Sequence, residues 1–196
     1  MACCAVDYCI TPPDCYAPAT GGFKKFWIVQ NCDVTLGYSA LAGLAKGQIT
    51  TFTLAPGAFL REVQHDLITD GSRIDSAYDA TTGTDTVTAT IRLDYKDPLT
   101  RAKIKRLKGT QVILIGLTDN DEFLVGGDNV KGMRVTAIED NNGDTNPSAG
   151  FFLVTLVQNG RDGLVPLNLS APLSTDPAVI YTETLVAVQA MVDCPE

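Results

Sequence analysis

Ten residues from Thr86 to Tyr95 alternate without a break, and this run constrains the chain more than any other feature. Val87, Ala89, Ile91, Leu93 and Tyr95 fall on one side, and Thr86, Thr88, Thr90, Arg92 and Asp94 fall on the other. A period of two is the signature of a strand with one face on a core and the other toward solvent or a partner. A chain organised around such a strand must supply further strands to pair with it.

The sequence supplies them. Lys24 to Gln30 (KKFWIVQ), Ile49 to Leu54 (ITTFTL) and Leu60 to Leu67 read as strands before the alternating run. Gln111 to Thr118, Glu122 to Val125, Met133 to Ile138 and Phe151 to Gln158 read as strands after it. The turns between the later strands carry Thr118-Asp119-Asn120-Asp121, Gly126-Gly127-Asp128-Asn129 and Asn141-Asn142-Gly143-Asp144. Asn-Gly is among the strongest short hairpin signals. Tyr38 to Lys46 reads as a short helix or a loop. Asp70 to Asp85 reads as a long polar loop of the kind that reaches a neighbour or wanders over the surface. The first 22 residues, with Pro12-Pro13, Pro18 and Gly21-Gly22, read as an irregular arm. At the far end, Val179 to Val192 reads as a β-like segment apolar on both faces.

One helix is expected, at about residues 98–108. Asp97 is a natural N-cap, Pro98 suits the first helical position, and Gly109 stands where a helix stops. Arg101, Lys103, Lys105, Arg106 and Lys108 make it strongly basic. Such a cluster fits a solvated face whose cations complement the helix C-terminus, or a contact with acidic groups on a neighbour. The chain is therefore read as mainly β. It divides into an N-terminal arm (1–22), a β domain (23–165) and a C-terminal β extension (166–196).

Charge and composition narrow the function. The 196 residues carry a formal charge of −8, a poor balance for gripping nucleic acid, which needs clustered Lys and Arg. No apolar run approaches the roughly 20 residues of a spanning helix, and the first residues lack a secretory pattern, so a cytoplasmic site of synthesis is expected. Cysteines at 3, 4, 9, 15, 32 and 194 contain no C-x-x-C pair and lie far from the single histidine, His65. They read as free thiols rather than metal ligands. His65 has no nucleophile motif to serve, and Asp140-Asn141-Asn142-Gly143-Asp144 lacks the glycine and bidentate Glu of a calcium loop. Catalytic, cofactor and metal residues are read as none. Asp119, Asp121, Glu122, Asp140 and Asp144 read as surface turn residues.

The middle of the chain runs TVTATIRLDY (86–95), DPLTRAKIKRLKG (97–109), TQVILIGLTDNDEFLVGG (110–127), KGMRVTAIEDNNGD (131–144) and AGFFLVTLVQNG (149–160). This order of strand, basic K-x-L-K-G helix, hydrophobic strand, acidic hairpin, G-x-R-V strand and glycine-led aromatic strand resembles the tail tube proteins of phages that infect Bacteroidetes-type bacteria. The opening, from Ala2-Cys3 through Cys15-Tyr16 to Gly21-Gly22-Phe23-Lys24-Lys25, is similar as well. The resemblance covers roughly residues 1–165, and the apolar tail from about Pro166 does not map onto it.

The resemblance implies a β-sandwich or barrel-like tube subunit with one flanking helix and an extended arm and loops. It implies a non-enzymatic structural virion protein without cofactors. Its principal partner would be itself, in hexameric rings stacked around a channel for DNA ejection. DNA would be cargo repelled by an acidic wall, some of the five carboxylates lining the lumen. Other tail or connector proteins would be partners, a membrane would not, and the place would be the virion tail, assembled in the host cytoplasm. A head-to-tail connector, ring or terminator protein is the alternative within the same class. A secreted β-sandwich binding module ranks below both, and an enzyme ranks last.

Overall fold

In the computed structural model, residues 22–40, 46–63, 72–93, 98–141, 151–160, 163–171 and 173–192 are described. They are mainly β. Eleven strands and two helices follow in the order β1 (Phe23–Gln30), β2 (Val34–Ala40), β3 (Lys46–Leu54), β4 (Arg61–Val63), β5 (Arg73–Asp79), β6 (Thr84–Leu93), α1 (Pro98–Leu107), β7 (Gln111–Thr118), β8 (Phe123–Gly126), β9 (Met133–Asn141), β10 (Phe151–Gly160), β11 (Val165–Pro166) and α2 (Pro177–Ala190). A single 3-10 turn, Asn31–Asp33, links β1 to β2.

Nine strands form one antiparallel sheet, and β2 and β3 pair separately. The large sheet is hinged at β7. Along one edge β7 pairs with β1 from Val112 to Thr118, and β4 pairs with the far side of β1. Along its other edge β7 pairs with β8 over Leu114–Leu117 and touches β9 only at Gln111 and Val112. From there β9 runs away from β7 and builds the β9–β10–β6–β5 half of the sheet.

The core shows what this hinge does. Phe26, Val112 and Leu114 pack in one buried cluster with Val87, Ala89, Ile91, Phe152, Val154 and Leu156 of the other half, so the two halves face each other as a sandwich. Ile104 of α1 enters the same cluster, at 4% exposure, and α1 thus flanks it. The opposite face of β1 and β7, through Trp27, Val29, Ile113, Ile115 and Leu117, packs a second cluster. Val34, Leu36, Ile49 and Phe52 of the small sheet and Val188 of α2 cover it. Six successive residues of β7 are buried, because that strand is the middle layer of three.

Three expectations are corrected. Val179 to Val192 is not a strand: it lies almost wholly in α2. Asp176 caps that helix by accepting from the Ala178 N–H at 3.0 Å, and Pro177 occupies the first turn. Tyr181, Thr184, Leu185 and Val188 then make a helical stripe against the core, with Thr184 and Val188 fully buried. The described residues therefore include two α-helices where one was expected. The C-terminal segment is bound to the body, since Leu167 N–H donates to Phe123 O, Asn168 N–H to Ile49 O and Leu60 N–H to Met191 O. Asp70 to Asp85 is not a long loop: β5 and the start of β6 occupy most of it, joined by a four-residue turn. The Tyr38–Lys46 stretch supplies the end of β2 and the start of β3, and 41–45 lie outside the described residues.

Candidate assembly surface

Exposed cations gather at the end of α1, and exposed carboxylates gather at the β7–β8 turn. α1 turns Ile104 inward and leaves Lys105 and Arg106 exposed, with exposed Lys108 just beyond its end, three cations at a helix C-terminus whose dipole favours them. The helix ends through Gly109 at φ +79°, the left-handed cap that its position in the sequence suggested. Beneath α1, between Leu107 and the two β layers, lies a small cavity lined by Ile28, Ile91, Val112, Val154 and other aliphatic side chains. It offers no polar group to orient a ligand.

The β7–β8 turn holds three of the five expected surface carboxylates. Thr118 closes it, its hydroxyl accepting from Glu122 N–H at 3.1 Å and its carbonyl from Asp121 N–H at 3.1 Å. Asp121 adopts φ +63° there. Asp121 and Glu122 are exposed and Asp119 is half-buried. Asp121 pairs with Lys24 at 2.5 Å, and this hydrogen bond holds the Lys24 ammonium above its usual pKa. Asp119 N–H donates to Gly22 O, and a Cβ on Gly22 would collide with the Asp119 carboxylate, so the start of β1 is fitted closely to this turn.

Asp140 is exposed on β9, opposite Phe152. Because β7 and β9 meet only at their first residues and run apart, Asp140 does not join the Asp119–Glu122 group. Asp144, His65, Cys3, Cys4, Cys9, Cys15 and Cys194 lie outside the described residues, as does the arm through residue 21. Cys32 is an exposed free thiol. Among the described residues no group of three His, Cys, Asp or Glu side chains is placed to hold a metal ion, and no helix is long and apolar enough to cross a membrane.

The surface that sequence reading missed is β5. It closes one end of the large sheet, pairing with β6 from Arg73↔Thr90 to Asp79↔Thr84. Six of its seven residues are exposed, and only Ile74 is half-buried. Ile74 lies opposite Gly116 of β7, where a Cβ would stand 3.1 Å from its Cδ1, so this end of the sandwich closes tightly. The turn after β5 is stitched by Asp79, whose carboxylate accepts from Thr81 N–H at 2.8 Å and Thr82 Oγ1 at 2.9 Å, while its carbonyl accepts from Gly83 N–H. Ile74, Ser76 and Tyr78 at alternate positions, with a glycine turn five residues beyond Tyr78, were the available signal.

Chemically, this arrangement offers charged and apolar contact surface. A second exposed apolar set, Leu173, Val179 and Val186, lies on and beside α2. Compared with known proteins, the chain matches no protein-family model. No curated protein matches it significantly, and no solved structure does.

Proposed function

We propose that this chain is a structural subunit of a phage-type tail tube, one that assembles with its own copies into stacked rings around a DNA channel. The observation that carries the reading is the order of elements across the segments that bear the resemblance. The alternating strand, basic helix, hydrophobic strand, acidic hairpin, G-x-R-V strand and aromatic strand fold as β6, α1, β7, β8, β9 and β10. These are the two facing β layers with α1 against their shared core.

Surface physics supports assembly as well. Exposed cations on α1 and exposed carboxylates at the β7–β8 turn, on a chain of charge −8, suit head-to-tail contacts that close into rings. The remaining negative charge suits a channel through which DNA slides without adhering. Negative-stain electron microscopy of the purified protein, with its mass in solution, tests the reading. Rings or hollow tubes with a central channel are expected. A monodisperse monomer at high concentration overturns self-assembly in favour of a connector that needs another protein as template.

A further inference from the structure

Sheet edges attract other strands, and soluble proteins blunt them with charged side chains, Lys above all, with Pro, bulges, very short strands or a covering element. The charges of β5, Arg73, Asp75 and Asp79, are of both signs and so can be matched by a partner edge, and the strand carries none of the next three devices. It is seven residues long, contains no Lys or Pro, and its register with β6 runs without a shift. Among the described residues no strand pairs with its outer side. Tyr78 stands 68% exposed on it.

We propose that β5 is a self-complementary edge at which a second copy of this chain adds antiparallel, with the two-fold axis beside Ser76. Antiparallel pairing about Ser76 sets Arg73 opposite Asp79, Ile74 opposite Tyr78 and Asp75 opposite Ala77, and symmetry makes each pair twice. Opposite charges and an aromatic beside a β-branched residue are the favourable cross-strand pairs. The neighbouring symmetric registers are penalised. An axis at Asp75 sets that carboxylate against its own copy, and an axis at Ala77 sets Asp75 against Asp79 twice. The sequence RIDSAYD therefore selects one register by charge.

Arg73 and Asp79 can exchange into these contacts, and Ser76 at the axis is exposed, although its hydroxyl lies near Gly163, where a Cβ would stand 3.2 Å from Oγ. Arg73 pairs with Asp75 on its own strand at 3.0 Å, but both are largely exposed, so the pair is weak and exchangeable. The Asp79 oxygens, though bonded to the turn, keep lone pairs for a guanidinium. The contact is isologous and closes as a dimer, whereas ring closure needs a heterologous contact, so this inference does not rest on the tube reading.

Sedimentation equilibrium of the full chain, combined with Ser76→Cys and mapping of linked peptides after mild oxidation, tests it. Opposed residues of an antiparallel pair lie roughly 4.5–5.5 Å apart at Cα, within disulfide range. The expected result is a concentration-dependent dimer in which the peptide carrying the Ser76→Cys thiol is linked to its own copy, while the same peptide from Ala77→Cys is not. Arg73→Asp, which sets carboxylate against carboxylate twice, is expected to weaken the dimer by about tenfold or more. A chain that stays monomeric up to roughly millimolar concentration overturns the proposal. So does an assembly that lacks the Ser76→Cys link and ignores Arg73→Asp. Rings without that link sink this inference and leave the tube reading standing. A linked dimer that never forms rings does the reverse.

Discussion

Strands β7 and β5 belong to one sheet and differ by a single residue in length, yet they are held in opposite ways. β7 buries six successive residues, one face against β6 and β10 and the other against β2, β3 and α2. β5 exposes six of its seven and is joined to the protein by the ladder to β6 and by Ile74. Side-chain burial makes β7 the strand on which the fold depends, since packing in a dry core is the larger stabilising term. β5 contributes little to the core and presents most of its surface outward. The contrast teaches where this molecule resists change and where it is free to meet others.

The contrast breaks most severely at Leu114, fully buried between the two β layers. Leu114→Ala is expected to cost about 2–5 kcal/mol in a denaturant unfolding curve, from lost burial and the cavity left behind. A loss below about 1 kcal/mol would mean that the layers close over the gap and that the two strands differ less than their burial implies. A smaller effect is expected at Asn129, in the loop between β8 and β9. Its amide accepts from Leu36 N–H and donates to Leu36 O, both at 2.7 Å, as a neighbouring strand would. Leu36 is 3% exposed, so Asn129→Ala strands two backbone groups and is expected to cost about 1–3 kcal/mol. The tie joins the small sheet to the large one, and Asn129→Asp, which keeps only the acceptor, separates the two bonds.

Much of this fold was legible because its middle speaks in clear periods. Val87, Ala89 and Ile91 alternate, and each is buried. The Asp97-Pro98 pair marked the start of α1, which begins at Pro98, Asp97 itself lying outside the described residues. The same Asp-Pro pair recurs at Asp176-Pro177 and opens α2, but the β-branched content of PAVIYTETLVAVQA obscured the 3.6-residue stripe of Tyr181, Thr184, Leu185 and Val188. Thr184 hid that stripe further, being a fully buried polar residue whose hydroxyl accepts from Leu169 N–H at 3.1 Å. A third anchor was equally unreadable from the sequence: Phe123 stacks between Trp27 and Tyr181, with centroids 6.1 Å from each. β5 was missed for the opposite reason. A strand exposed on both faces leaves only a faint alternation, Ile74 and Tyr78 with Ser76 between them, and its pairing with β6 is a tertiary fact. Hence the candidate surface, built from β5 and α1, was only half legible.

Two gentler changes sharpen the comparison on the β5 side. Tyr78→Ala removes the most exposed aromatic of the edge, and the stability of the dilute chain is expected to move by no more than about 0.5 kcal/mol. A larger loss, measured by the same unfolding curve, would show that β5 packs more than its exposure allows. The subtlest effect belongs to Asp79. The Thr81 backbone N–H, with the Thr82 hydroxyl, holds its carboxyl below the ordinary value of 3.8. A depressed carboxyl stabilises the folded hairpin above the unfolded pKa, and that contribution fades as pH falls through the lower folded value. Hydrogen exchange at the Gly83 amide, which donates to Asp79 O, should therefore slow down less at acid pH than intrinsic exchange predicts, while the protein as a whole stays folded. Asp79→Asn keeps an acceptor for Thr81 but has no proton to gain, so this acid-dependent opening should vanish. If it persists in the variant, the turn is being opened by other carboxylates, and Asp79 is not what secures the free end of β5.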